Sequence, residues 1–171
     1  MILTGNEITN QFKLGRIKIE AYDQNNISTN SYDLALGTKI LKYSGNVLDP
    51  KIENEHTIID IPEEGYSMEP GDFVLSETKS AIGSDNYVGI IHAKSGIARL
   101  GLFVHVTADL LDIGYYGKLT FQLYSTLPLV IYPRMTIAQI SFWVPKGEIR
   151  LYQGKYQSGV GPQASKVYLD F

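Results

Sequence analysis

The chain has no cysteine among its 171 residues. Disulfides, iron–sulfur clusters and thiolate zinc sites are therefore excluded. Histidine is scarce too: His56, His92 and His105 are the only three, and none has metal-ligand spacing. His92 and His105 fall in or beside strands and read as structural or pocket-lining. No apolar run approaches the roughly 18 residues that span a bilayer, and the N-terminus lacks a signal-peptide pattern. Basic residues do not dominate. The formal charge of −3 argues against a general nucleic-acid binder, which would carry a basic face. The expectation is a soluble, cytoplasmic protein with no membrane or nucleic-acid partner. What is present, 44% hydrophobic and 19% charged residues, suits one globular domain over 1–171 with a substantial core.

Periodicity predicts one short helix and many short strands. Thr4 and Glu7 have capping-box spacing, Ile8 and Phe12 follow on one helical face, and Gly15 is a natural stop, giving a helix over about 5–14. Arg16–Tyr22 alternates as a strand. In Ser31–Gly37, Tyr32, Leu34 and Leu36 share a face and Gly37 is read as opening a turn. Short runs follow at Lys39–Tyr43, Thr57–Asp60, Asp72–Glu77, Val88–His92, Leu102–Val106, Lys118–Tyr124, Leu129–Tyr132 and Gln139–Val144. Turns at Glu69–Asp72 and Tyr132–Met135 lead into strands. This pattern predicts a mostly β fold, a sandwich, barrel or jelly roll. The tail over 152–171 is Gly- and Ser-rich but keeps Tyr152, Tyr156, Tyr168 and Phe171, so it is expected to dock.

Polar groups with chemical potential concentrate between Ala93 and Gln122. In Lys118–Tyr124 the alternation puts Leu119, Phe121 and Leu123 on a core face and Thr120, Gln122 and Tyr124 on the other. Gln122 can thus present an amide beside the Thr120 hydroxyl, although an ordinary polar strand face would look the same. Ser95-Gly96-Ile97-Ala98-Arg99 follows an apolar strand. A hydroxyl, backbone N–H groups near a glycine and an arginine fork could cradle phosphate, with Lys94 adding a point charge. Asp112 precedes Ile113-Gly114; a carboxylate there could orient a sugar hydroxyl or activate water, or simply shape a turn.

Together these motifs resemble the deoxycytidine triphosphate (dCTP) deaminases of the trimeric deoxyuridine triphosphatase (dUTPase) superfamily. The likeness runs through Met1–Thr4, Gly15–Ile17, Ser31–Gly37, Arg99–Ala108, Asp112–Gly117, Tyr132-Pro133, Ile137–Phe142, Gly154–Gln157 and Gly161-Pro162. It implies a distorted jelly-roll homotrimer with active sites between subunits and the 152–171 tail closing over the nucleotide. It also implies zinc-independent hydrolytic deamination of dCTP to dUTP and ammonia, with dTTP a candidate regulator. By position, the resemblance assigns triphosphate binding to Lys94, Ser95, Gly96, Ile97, Ala98 and Arg99, with Ser95 and Arg99 also near the base. Asp112 is assigned the deoxyribose 3′-hydroxyl, the backbone of Thr120, Phe121 and Gln122 the pyrimidine edge, and Tyr152 and Lys155 the phosphates. Magnesium is expected to arrive with the triphosphate, held by phosphate oxygens and water.

Several positions depart from the family pattern. The catalytic glutamate falls on Gln122, and a carboxamide cannot take and return a proton. A phosphate-binding arginine appears as Lys94, a tail glutamine as Gly159, and Asp109 adds negative charge. Three readings follow: a dCTP deaminase, inactive if Gln122 abolishes the step; a dUTP diphosphohydrolase giving dUMP and pyrophosphate; or a non-catalytic nucleotide-binding regulatory trimer.

Overall fold

A computed structural model describes all residues, 1–171. Helix α1 (Gly5–Lys13) leads into β1 (Ile17–Ile19), β2 (Tyr32–Tyr43), β3 (His56–Asp60), β4 (Tyr66–Met68), β5 (Phe73–Thr78), β6 (Ile82–Ser84) and β7 (Val88–Ala93). After the one-turn helix α2 (Ser95–Ala98) come β8 (Leu102–Phe103), β9 (Leu110–Leu111), β10 (Tyr116–Gly117), β11 (Thr120–Ser125), β12 (Leu129–Ile131) and β13 (Thr136–Trp143). The mostly β expectation therefore holds.

The main antiparallel sheet runs β8-β11-β5-β2-β13-β7-β9, with β3 also on β2; β1-β6-β10 and β12-β4 form two smaller sheets. Strand β2 joins the halves of the main sheet. Its first residues pair with β13, its middle with β5 and its last with β3. A single twelve-residue strand can serve three neighbours only by bending, and register shifts mark the bends against both β13 and β5. Between the sheets lies one cluster of 25 buried apolar residues, with Phe121 and Phe142 its largest fully enclosed members.

Three local expectations are corrected. Gly37 does not open a turn: β2 continues through it, because a residue without Cβ lets the Glu77 carboxyl of β5 lie directly against the backbone. The capping box does not close either. Thr4 is the N-cap but makes no side-chain bond, and Glu7 instead accepts from Gln11 at 2.5 Å and from Asn10 at 3.3 Å. Strand β8 is also shorter than the predicted run, ending at Phe103 because the chain bends from Val104 onward. No helix is long and apolar enough to cross a membrane.

Candidate functional site

The alternation of β11 is what builds the site. Phe121, Leu123 and Ser125 are buried on the core side, while Thr120, Gln122 and Tyr124 are half-buried on the other. Strand β5 runs alongside in register, with Gln122 opposite Leu75 and Tyr124 opposite Phe73. Thr120, Gln122, Phe73 and Leu75 line a cavity of about 460 Å³ together with Tyr152, Tyr156 and residues 163–165 of the tail. Its lining is largely apolar and aromatic with few polar groups, as suits a flat heterocycle better than a bare ion.

Asp112 reaches the rim through a tight turn. Gly114 adopts φ +96°, and its N–H donates to Ser84 O at 2.7 Å. Only glycine takes that conformation cheaply. The Asp112 carboxylate is exposed, lines the cavity and makes no hydrogen bond within the chain. Tyr115, just beyond, donates to Lys118 O at 2.7 Å, and burial pushes its phenol above the usual value.

Most other polar groups of the cavity are engaged. Thr120 Oγ1 accepts from Gln163 N at 3.2 Å, Tyr43 Oη from Ser165 N at 2.7 Å, and Tyr156 Oη from Lys166 N at 2.8 Å. Gln163 donates to Tyr156 O and accepts from Lys166. Gln122 differs. Its Oε1 accepts from the backbone N–H of Val106 at 3.1 Å and of Thr107 at 3.4 Å, while its Nε2 makes no bond within the chain. Two N–H donors converging on one atom require that atom to be oxygen, so the amide orientation is fixed.

Of the sequence-predicted residues, Asp112, Thr120, Gln122 and Tyr152 meet at this cavity. Phe121 shares the strand, but its ring is in the core and only its backbone lies near. The Gln122 backbone N–H is committed to Val104 O at 3.0 Å. Lys94, Ser95, Gly96, Ile97, Ala98 and Arg99 do not line the cavity. Lys94 is ion-paired with Asp33, and Arg99 folds back to donate to Ser95 O at 3.0 Å. Lys155 is likewise outside, bonded to Asp170 at 2.5 Å. His92 turns away too: it bonds Ser141 Oγ at 2.8 Å, and burial and His105 hold its pKa down. Sequence reasoning did not assign Tyr43, Tyr115 or Gln163 to the site. Only the tail aromatics carried a signal, because distance along the chain hides that β2 and the tail meet over β11. No three His, Asp or Glu side chains converge as metal ligands would.

A family model described as dCTP deaminase-like matches residues 2–144. A Clostridium beijerinckii protein named "dCTP deaminase, dUMP-forming" is 40% identical over 172 residues, covering all of this chain and 99% of its own. A Leptospira biflexa protein of the same name is 43% identical over 173 residues, covering 100% and 98%. The solved 2′-deoxycytidine 5′-triphosphate deaminase from Agrobacterium tumefaciens aligns with a TM-score of 0.66 at 22% identity. That alignment covers 84% of this chain but 48% of the other, so this chain spans about half the solved structure's length. At that identity the likeness supports the fold alone.

Proposed function

The chain belongs to the dCTP deaminase-like enzyme family, and we propose that it hydrolyses dCTP to dUMP, releasing ammonia and pyrophosphate. The observation carrying this reading is the meeting of Asp112, Thr120, Gln122 and Tyr152 at one mostly apolar cavity, in a chain that matches dUMP-forming relatives end to end. Their names carry dUMP rather than the dUTP expected from sequence, so dUMP replaces it as the end product. In this reading the base lies against β11 and the deoxyribose hydroxyl meets Asp112, the one acidic side chain lining the cavity. The triphosphate extends outward, where Tyr152 and the tail would close over it.

The cavity offers no carboxylate cluster to cage a metal, so magnesium would be held by phosphate oxygens and water, and Asp112, in the same cavity, would be the group to orient a hydrolytic water. Lys94–Arg99 lies outside this cavity on the same chain. If that segment holds triphosphate, a second copy must bring it, and we therefore propose a homotrimer with shared sites. Sedimentation tests the assembly: a monomer at micromolar concentration would sink it.

A second reading, dUTP diphosphohydrolase, is favoured by Gln122, which cannot relay a proton at neutral pH. Incubation with magnesium and, separately, dCTP and dUTP decides between them. Ammonia and dUMP from dCTP support the deaminase. Pyrophosphate from dUTP without ammonia from dCTP supports the diphosphohydrolase, and binding without either product supports a regulatory trimer.

A further inference from the structure

We propose that Gln122 makes this cavity a reader of the 4-keto pyrimidine, so that uracil nucleotides bind more tightly than cytosine nucleotides. The inference rests on the cavity being the nucleotide site. Its basis is the direction of one amide. Val106 and Thr107 N–H groups occupy Gln122 Oε1 from the loop side, which leaves the side chain with donor capacity only. Nε2 has no acceptor within the chain and is not enclosed without a partner, since the buried unpartnered side-chain atoms are Asp33 Oδ1 and Glu77 Oε2 alone. Gln122 itself is half-buried and lines the cavity. With Oε1 turned to the loop and Gln122 among the lining residues, Nε2–H is the end of the amide left for a base in the cavity.

The remaining polar groups leave Nε2–H as the donor of fixed direction on the β11 wall. The Thr120 hydroxyl oxygen accepts from the Gln163 backbone N–H, which leaves its O–H as a second, rotatable donor on the same wall, and the Gln163 side chain is bonded at both ends. Asp112, at the rim, is an acceptor with no partner in the chain. The cavity thus presents an acceptor at the mouth, suited to a sugar hydroxyl, and a fixed donor on the β11 wall. Uracil offers O4 as an acceptor at the edge where deamination takes place, whereas cytosine offers a 4-amino donor there. Facing Nε2–H, the first makes a hydrogen bond and the second sets donor against donor in a partly desolvated place. The amide cannot flip to relieve this, because Nε2 would then face the Val106 and Thr107 N–H donors on the loop side.

The test is rapid-mixing binding of the full chain, with magnesium, to α,β-imido analogues of dUTP and dCTP, read from protein fluorescence before the cytosine 4-amino group can be hydrolysed, since the imido bridge blocks only phosphate cleavage. The wild-type protein is expected to bind the uracil analogue roughly tenfold more tightly. In Gln122→Glu one carboxylate oxygen keeps the loop bonds and the other faces the cavity as an acceptor, so the order should reverse. Gln122→Met, which has neither function, should bind the two about equally. It also serves as the control should the glutamate variant fold poorly. Equal affinities in the wild type, or tighter binding of the cytosine analogue, overturn the inference while leaving the nucleotide site in place. Absence of binding by either analogue overturns both the site and the inference.

Discussion

Gly37 and Glu77 are packed so closely across β2 and β5 that a Cβ on residue 37 would fall inside the Glu77 carboxyl group. Glu77 is 1% exposed; its Oε1 accepts from the Thr38 N–H at 3.2 Å and its Oε2 has no partner. The contact lies within the stretch where the β2–β5 register shifts between Leu36 and Ile40. A glycine at the bend and an acid filling the vacated space are thus one structural unit. Gly37→Ala should destabilise the protein by about 1–3 kcal/mol by displacing the carboxyl. Urea unfolding measures it, and a Glu77→Ala background should remove most of the effect. Unchanged stability in the single variant would contradict the contact.

Glu77 also ties stability to pH. Burial raises its pKa, with the Thr38 hydrogen bond and Lys118 opposing the rise. A carboxyl whose folded pKa exceeds the unfolded value binds protons better when folded. Its stabilising contribution is therefore complete below the unfolded pKa and is lost as pH climbs through the folded one. Glu77→Gln, which cannot ionise, should melt higher than the wild type at about pH 8, with the difference shrinking toward about pH 4. Parallel melting curves at both pH values would show that the carboxyl titrates normally.

The sequence was most informative where period and burial agree. The alternation of Leu119, Phe121 and Leu123 against Thr120 and Gln122 fixes which face of β11 meets the cavity, because a one-residue slip would bury the polar set. Asp112 before Ile113-Gly114 was similarly visible through its turn. Four features were not. The Gly37–Glu77 contact joins residues forty apart, and Gly37 taken alone looks like a turn. The Thr4–Glu7 spacing suggested a cap, but Gln11 and Asn10 compete for the Glu7 carboxylate. The orientation of the Gln122 amide depends on a loop that no periodicity describes. The placement of Lys94–Arg99 outside the cavity was equally hidden, since position in a motif does not say which face of a chain a segment occupies.

The tail supplies a wall of the cavity without supplying much of the core. Tyr152 and Tyr156 pack against the core cluster from outside it, and no residue after 144 belongs to the cluster itself. Its anchors are polar: Tyr152 N donates to Ile113 O at 2.7 Å, and Gln157 Nε2 donates to Gly114 O at 2.8 Å. Deleting residues 152–171 should leave a cooperatively unfolding body. Nucleotide affinity should fall by about one to two orders of magnitude, as expected when aromatic contacts at the centre of a site are lost. Calorimetry alongside thermal melting separates the two effects. Loss of cooperative unfolding would make the tail part of the folding unit rather than a cover.

Asp112 offers a substitution whose structural and functional consequences separate cleanly. Its carboxylate is exposed and makes no hydrogen bond within the chain, while the turn that carries it is set by Gly114 and the backbone bond to Ser84. Asp112→Asn preserves shape and leaves those features untouched, so the melting temperature should stay nearly constant. What it removes is the negative charge and one of the two acceptor oxygens, which becomes an NH₂ donor. Under the proposed function, pyrophosphate release from dUTP should fall by about 10²–10⁴-fold. Any ammonia release from dCTP should fall less, because Gln122, not Asp112, lies on the β11 wall against the base. Coupled phosphate and ammonia assays on the same preparation give both numbers. Equal losses would place Asp112 in binding alone, since a hold on the sugar serves both reactions alike, whereas a selective loss of pyrophosphate release would locate the hydrolytic water beside it.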